Sequence, residues 1–176
     1  MFEEINSSHL LYPYMEELLH VSFPENERRD DCDQRFNADK ENSFHPLLIK
    51  EGGLPVGILT YWNLDDFIYI EHFAVNPLIR GKGIGRKALK EFIIKRQGRL
   101  PIVLEVEHPD NDISLRRIQF YERLGFVLWR NDYMQPPYRM SDKEIPLYLM
   151  VYGNLSSERD YPHIVDSIHH HVYKQG

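Results

Sequence analysis

Arg80, Gly81, Lys82, Gly83, Gly85 and Arg86 fall within seven residues, between an apolar run that closes on Asn76-Pro77 and a helical pattern that opens near Gly83. Residues of these types in this order suit the holding of a phosphate-bearing ligand; a tight turn whose Arg and Lys form a solvated face is the other reading. The first amides of a helix have no intrahelical partner, and the helix dipole places partial positive charge beside them. Glycines let phosphates approach the backbone closely, and the arginines and lysine add charge. Two familiar phosphate loops do not fit. No Gly-x-x-x-x-Gly-Lys-Ser/Thr string occurs. The dinucleotide pattern Gly-x-Gly-x-x-Gly needs glycine at position 86 if it starts at Gly81, or at 88 if it starts at Gly83; those positions are Arg86 and Ala88.

A second block runs from Arg117 to Phe126. It reads as a helix stopped at Gly125, where a left-handed residue costs little, followed by a strand that starts with Phe126-Val127-Leu128-Trp129. Together the two blocks carry a resemblance. Arg80-x-x-Gly83-x-Gly85, preceded by Phe73-Ala74-Val75-Asn76-Pro77 and followed by Arg86-Lys87-Ala88-Leu89, resembles the acetyl-CoA pyrophosphate loop of the GNAT superfamily of N-acetyltransferases. Tyr121-Glu122-Arg123-Leu124-Gly125-Phe126 resembles the end of a helix in the same family. The likeness extends from about Phe2 to about Tyr152.

The resemblance implies transfer of an acetyl group from acetyl-CoA, as co-substrate, to a primary amine by direct attack in a ternary complex. It also implies residue roles. Phe73, Ala74 and Val75 lend backbone groups to the pantetheine arm, which is peptide-like and pairs as an extra strand edge. Arg80, Gly81, Lys82, Gly83, Ile84, Gly85 and Arg86 hold the pyrophosphate. Tyr121 is the expected acid toward the CoA thiolate, because a phenol is protonated at neutral pH and can donate. Family members often place Asn seven residues before this tyrosine, in contact with the cofactor; here Ser114 stands there. A non-catalytic acyl-CoA-binding sensor or interaction module on the same fold is the alternative, since it needs the same loop.

Amine attack on a thioester requires a neutral nitrogen, a hydrogen bond to the developing oxyanion and a stabilised leaving thiolate. Five residues could take the amine's proton: Glu71 and His72 on one strand, Glu105 and Glu107 on one face of the next, and His108 at that strand's end. Glu71 is the first choice as base, since related enzymes often use an acidic residue on this strand; a structural or acceptor-binding carboxylate is its other reading. Family resemblance directs acceptor specificity to Phe23–Arg29 and to the late strands, here Tyr133-Met134-Gln135-Pro136-Pro137-Tyr138-Arg139. That second stretch either walls the acceptor pocket or is a loop packed by its own tyrosines.

The elements that must position these groups follow from periodicity. Residues 1–6 read as a strand. Ser7 or Ser8 is placed to cap a helix in which Leu10, Leu11, Tyr14, Met15, Leu18 and Leu19 recur at helical spacing, with Pro13 in its first turn. Phe23–Arg29 breaks that helix and opens a polar one to about Asp39. Strands are expected over residues 46–50, 56–61, 67–75, 102–107, 126–132 and 145–151, and helices over 83–96 and 113–124. The order implies an α/β fold of mixed α+β character, one domain over 1–155 with a central, mostly antiparallel sheet of about seven strands flanked by helices. A C-terminal helical extension over 156–176 is expected to pack on the same domain. It starts with the capping-box variant Ser157-x-x-Asp160 and aligns Tyr161, Ile164, Val165, Ile168 and Val172 on one face, through which a homodimer is the lesser possibility.

Bulk properties narrow the classes. A chain of 176 residues suits one domain with a real core. A net charge of −6 argues against nucleic-acid binding and favours cationic partners, small-molecule or protein amines among them. One cysteine, Cys32, excludes an internal disulfide. No window approaches eighteen apolar residues, so no membrane span is expected, and the acidic start Met1-Phe2-Glu3-Glu4 is unlike a signal peptide; the expected location is cytoplasmic. His169, His170 and His171 are consecutive on a helix and point in three directions, so no metal site is expected.

Overall fold

A computed structural model describes residues 1–96 and 100–174. The chain runs β1 (Phe2–Glu4), α1 (Tyr12–Ser22), a 3-10 turn (Glu25–Glu27), α2 (Asp31–Lys40), β2 (Phe44–Glu51), β3 (Leu54–Asn63), β4 (Ile68–Val75), a 3-10 turn (Pro77–Ile79), α3 (Ile84–Arg96), β5 (Ile102–Glu107), α4 (Asp112–Glu122), β6 (Val127–Gln135), β7 (Ile145–Tyr152) and α5 (Ser157–His171). The strands form a seven-stranded, mostly antiparallel open sheet in the order β1-β2-β3-β4-β5-β7-β6. This is the mixed α/β architecture that the sequence pattern implied. Contacts resolve into two compact units, 1–63 with 70–96, and 64–69 with 100–174, among the described residues.

In the first unit β1, β2 and β3 pair antiparallel, with Phe2 opposite Ile49 and Phe44 opposite Trp62. The inward face of α1 supplies Tyr12, Met15, Leu18 and Leu19, which pack with Ile5, Leu48, Ile58 and Ala74. This helix starts later than its serines suggest. Leu11 is the N-cap and makes no side-chain cap bond, while Pro13 occupies the first turn. Ser7 is drawn elsewhere, its amide and hydroxyl both donating to the Asp39 carboxylate of α2, and Leu10 is left exposed. At Gly57 of β3, a Cβ would lie 2.5 Å from the Ala74 carbonyl oxygen. Only glycine lets β4 come this close.

In the second unit β7 lies between β5 and β6, with Glu105 opposite Leu149 and Tyr133 opposite Leu147. Directly opposed residues share a face, so Glu105 and Tyr133 lie on one side. The sixth strand continues to Gln135, further than expected. Tyr133 and Gln135 are therefore buried strand residues, with 1% and 4% of their surfaces exposed, and the loop reading of that stretch holds only from Pro136 onward. Gly125, at φ 93°, ends α4, and the Phe126 amide returns to the Tyr121 carbonyl at 3.2 Å. The N-cap of α5 is Ser156 rather than Ser157, and its amide donates to the Asp160 carboxylate at 2.7 Å. Ile164, Ile168 and Val172 are at most 1% exposed. Tyr161 and Val165 of the same face are half-buried.

Candidate active site

The glycine-rich loop is built by what precedes and follows it. After β4 ends at Val75, the Asn76 amide donates to the Val56 carbonyl at 2.9 Å, and its side-chain oxygen accepts from the Leu78 amide at 3.0 Å. That caps the turn at Pro77–Ile79. Gly81 and Gly83 then adopt φ of 81° and 76°, where a Cβ costs about 1–2 kcal/mol. The Lys87 amide closes the first turn of α3 on the Gly83 carbonyl at 3.0 Å. Buried Ile84, Ala88, Leu89, Phe92 and Ile93 hold the helix down. Among the described residues, nothing accepts a hydrogen bond from the amides of Gly81, Lys82 or Gly83. Arg80, Lys82 and Arg86 are exposed around them. Arg80 also ties the loop back, its Nε donating to the Val75 carbonyl at 3.0 Å. Phe73 and Val75 are half-buried and Ala74 is buried in the last turn of strand before this loop.

Two residues earlier, β4 carries consecutive buried polar groups. The Glu71 side chain is 1% exposed. Arg29 donates to one of its oxygens and the Trp62 indole N–H to the other, the latter at 2.9 Å. The Arg29 guanidinium also lies 5.3 Å from the Trp62 ring centre. His72 is 2% exposed. Its Nε2 is 3.0 Å from the Glu27 carbonyl, and its Nδ1 is 3.2 Å from the Thr60 hydroxyl. A carbonyl only accepts, so the partners assign the proton to Nε2, and Nδ1 takes the hydroxyl's hydrogen. Burial pushes His72 below the ordinary imidazole range, with Glu71 pulling the other way.

The second unit holds the remaining candidates. Ser114 is 1% exposed. Its hydroxyl donates to the Asn111 carbonyl at 3.0 Å and receives the Asn111 amide at 3.3 Å, while the Asn111 side chain accepts from the amides of Ile113 and Ser114. This reciprocal capping box starts α4 and uses the one hydrogen of the Ser114 hydroxyl. Tyr121 packs edge-on against Phe120 and Phe126. Burial pushes its phenol up to about 12, slightly offset by Arg117, and its hydroxyl has no hydrogen-bond partner among the described residues. Glu105 accepts from the Tyr133 hydroxyl and, at 2.9 Å, from that of Tyr173, which itself lies 3.2 Å from the Tyr69 hydroxyl. Burial, and after it the neighbouring Glu105 carboxylate, raises Tyr133 and Tyr173 well above the ordinary phenol range. Glu107 is paired with Arg117 at 2.7 Å on the surface, and His108 stacks on Tyr148 with ring centres 4.0 Å apart.

The structure therefore groups Glu71, His72, Phe73–Val75 and the loop 80–86 in the first unit, and Ser114 and Tyr121 in the second. Sequence reasoning put Arg29 at the end of the acceptor-specificity segment without its pairing to Glu71, and missed Trp62 and Tyr173. Arg29 sits in a polar run with no periodicity to mark it, and Tyr173 lies beyond the expected apolar stripe of the last helix. His169 donates from Nε2 to the Met134 carbonyl at 3.1 Å. No cluster of three His, Cys, Asp or Glu suited to a metal occurs among the described residues. Nor is any helix among them long and apolar enough to cross a membrane.

A strand–turn–helix junction with unsatisfied amides thus stands on a seven-stranded mixed sheet. Residues 12–126 match the Acetyltransferase (GNAT) family, and the chain belongs to that family. A Bacteroides thetaiotaomicron protein described as a candidate GNAT-family acetyltransferase shares 44% identity and a TM-score of 0.96, with 100% of this chain and 99% of that one covered. Bacillus subtilis YjbC, described as a candidate acetyltransferase, is 35% identical over 71 residues; the match covers 39% of this chain and 35% of that protein. The Arabidopsis thaliana protein NAA60, solved in complex with acetyl-CoA, has the same fold at a TM-score of 0.61 and 18% identity, over 86% of this chain and 97% of its own. Family and fold support acyl transfer.

Proposed function

We propose that this protein transfers an acetyl group from acetyl-CoA to a primary amine by direct attack in a ternary complex. The observation that carries the reading is the row of unsatisfied amides at Gly81, Lys82 and Gly83 where α3 begins, in a chain of the GNAT family. Three bare N–H groups beside the positive end of a helix, with Lys82 and Arg86 exposed around them, match the charge and size of a diphosphate. The backbone of Phe73–Val75 takes the pantetheine amides.

The chemical step has balanced parts. The neutral amine attacks the thioester carbonyl, the carbon–sulfur bond breaks, and the amine gives up one proton. Tyr121 serves the leaving thiolate. Its phenol, pushed up to about 12, is a weaker acid than a thiol of about 8.5 by roughly 3.5 units, which sets roughly 5 kcal/mol against full proton transfer. Its contribution is a donated hydrogen bond to sulfur rather than an outright proton. The amine's proton goes to the Glu105–Tyr133–Tyr173 group: a phenol oxygen receives it as the phenol's own proton passes to Glu105. The hydrogen-bonded chain from Tyr69 through Tyr173 to Glu105 supports this relay.

The test is a thiol-release assay with acetyl-CoA against a polyamine, an aminoglycoside, free amino acids and a peptide with a free N-terminus. Turnover on one class supports the reading. Stabilisation by CoA with no thiol release on any amine supports instead the non-catalytic acyl-CoA-binding module.

A further inference from the structure

Phe23 to Asp30 connects α1 and α2. Its sequence is polar after Pro24, and its one 3-10 turn buries no residue. Yet three points along it are fixed by two consecutive residues of β4. Arg29, with a side chain 7% exposed, pairs with Glu71. The Glu27 carbonyl accepts from His72 at 3.0 Å. The Phe23 ring meets the His72 imidazole edge-on at 4.7 Å. Behind these contacts, Trp62 and Thr60 of β3 fix the two β4 side chains by hydrogen bonds of 2.9 and 3.2 Å. The chain thus devotes two adjacent, fully desolvated polar side chains of its central strand to one surface segment. A carboxylate gripped by a guanidinium and an indole N–H is poorly placed to collect a proton.

We infer that Glu71 and His72 are positioning residues: they anchor the Phe23–Asp30 segment, through Arg29 and the Glu27 carbonyl, in the conformation that receives the amine acceptor. The inference rests on the acetyltransferase reading and on this segment's role in acceptor binding. Glu71 then acts on acceptor affinity and not on the proton transfer of the chemical step.

The test pairs hydrogen exchange with kinetics on the full chain. Glu71→Gln keeps shape and an acceptor for Trp62 but loses the charge. The double variant Arg29→Met, Glu71→Leu removes both charges, so that no lone buried ion endangers folding; circular dichroism confirms the fold of each. Amide exchange over residues 23–30 is expected to quicken at least tenfold in both variants, with α3 and β3 unchanged. The KM for the best acceptor of the panel is expected to rise 10- to 100-fold, with kcat within threefold of the parent and its pH profile unmoved. A kcat lowered 100-fold at unchanged KM, with the acidic limb of the pH profile lost, overturns the inference and makes Glu71 the base. Unchanged exchange at residues 23–30, or quickened exchange with unchanged KM, also overturns it. If the parent protein acetylates no amine, the acetyltransferase reading fails at that point, while the exchange arm still decides whether the anchor exists.

Discussion

Gly57→Ala is the substitution whose consequence is most directly computable from the structure. A Cβ at this position lies 2.5 Å from the Ala74 carbonyl oxygen, with Ile49 Cδ1 at 3.2 Å and the Val75 Cα at 3.3 Å closing the other directions. To reach even 3.0 Å, which real Cβ contacts rarely undercut, the β4 backbone must retreat by at least 0.5 Å. Overpacking of this kind costs about 1–3 kcal/mol. In a chain of this length that lowers Tm by roughly 2–12 °C, at about 2–4 °C per kcal/mol. The backbone that moves is Ala74 and Val75, the stretch proposed to pair with pantetheine, and a displacement near 1 Å costs up to about a hundredfold in productive placement. Differential scanning fluorimetry should show the lowered Tm, and calorimetry with CoA a Kd raised at least tenfold. Gly53→Ala is the control, since its Cβ meets nothing within 4 Å although φ is 83°. It should lower stability without a comparable loss of CoA affinity. A Gly57→Ala protein with parental Tm and parental CoA affinity would refute the close-approach argument.

Three further outcomes are expected. Tyr121→Phe should cut kcat by about 10- to 150-fold, the value of a hydrogen bond of about 1.5–3 kcal/mol to a charged partner; because the hydroxyl has no partner among the described residues, Tm should stay within about 2 °C, and a parental kcat would remove Tyr121 from its role. Glu105→Gln should lower kcat at least a hundredfold and abolish the acidic limb of kcat/KM, whereas a retained limb would exclude Glu105 as proton acceptor. For His72, burial depresses the folded-state pKa below the unfolded value of about 6.5. The unfolded chain therefore binds the proton first as pH falls. Its contribution to stability is full above about pH 6.5 and is lost as pH drops toward the folded pKa, by up to about 1.4 kcal/mol per pH unit. Urea midpoints measured from pH 7.5 to 5 should fall more steeply for the parent than for His72→Gln, and parallel curves would contradict the assignment.

What the sequence made legible was whatever is local. Ile102–Glu107 is a strand at the residues its apolar run marks, and the glycines at 81 and 83 take the positive φ for which only glycine is suited. Long-range competition hid the rest. Ser7 has the chemistry of a cap, but Asp39, 32 residues away, claims it. Tyr133-Met134-Gln135 precedes two prolines and reads as loop, yet Leu147 and Ile145 of β7 pair with Tyr133 and Gln135 and extend the strand. Asn111-x-x-Ser114 is itself a cap pattern, and the Ser114 hydroxyl takes part in that cap. Glu71 shows the limit most clearly. Its place on the strand two residues before Phe73 was readable, but its partners were not, because Arg29 lies 42 residues away in a stretch without pattern.

The most direct measurement is an amide-resolved titration of the 15N-labelled protein with CoA, followed at Gly81, Lys82 and Gly83. Those three amides, bare in the free protein, should move downfield together and saturate at one Kd, while dephosphorylated pantetheine leaves them in place. Saturable CoA binding that shifts other amides and leaves these three unmoved would contradict the diphosphate seat and the acyl-transfer reading built on it.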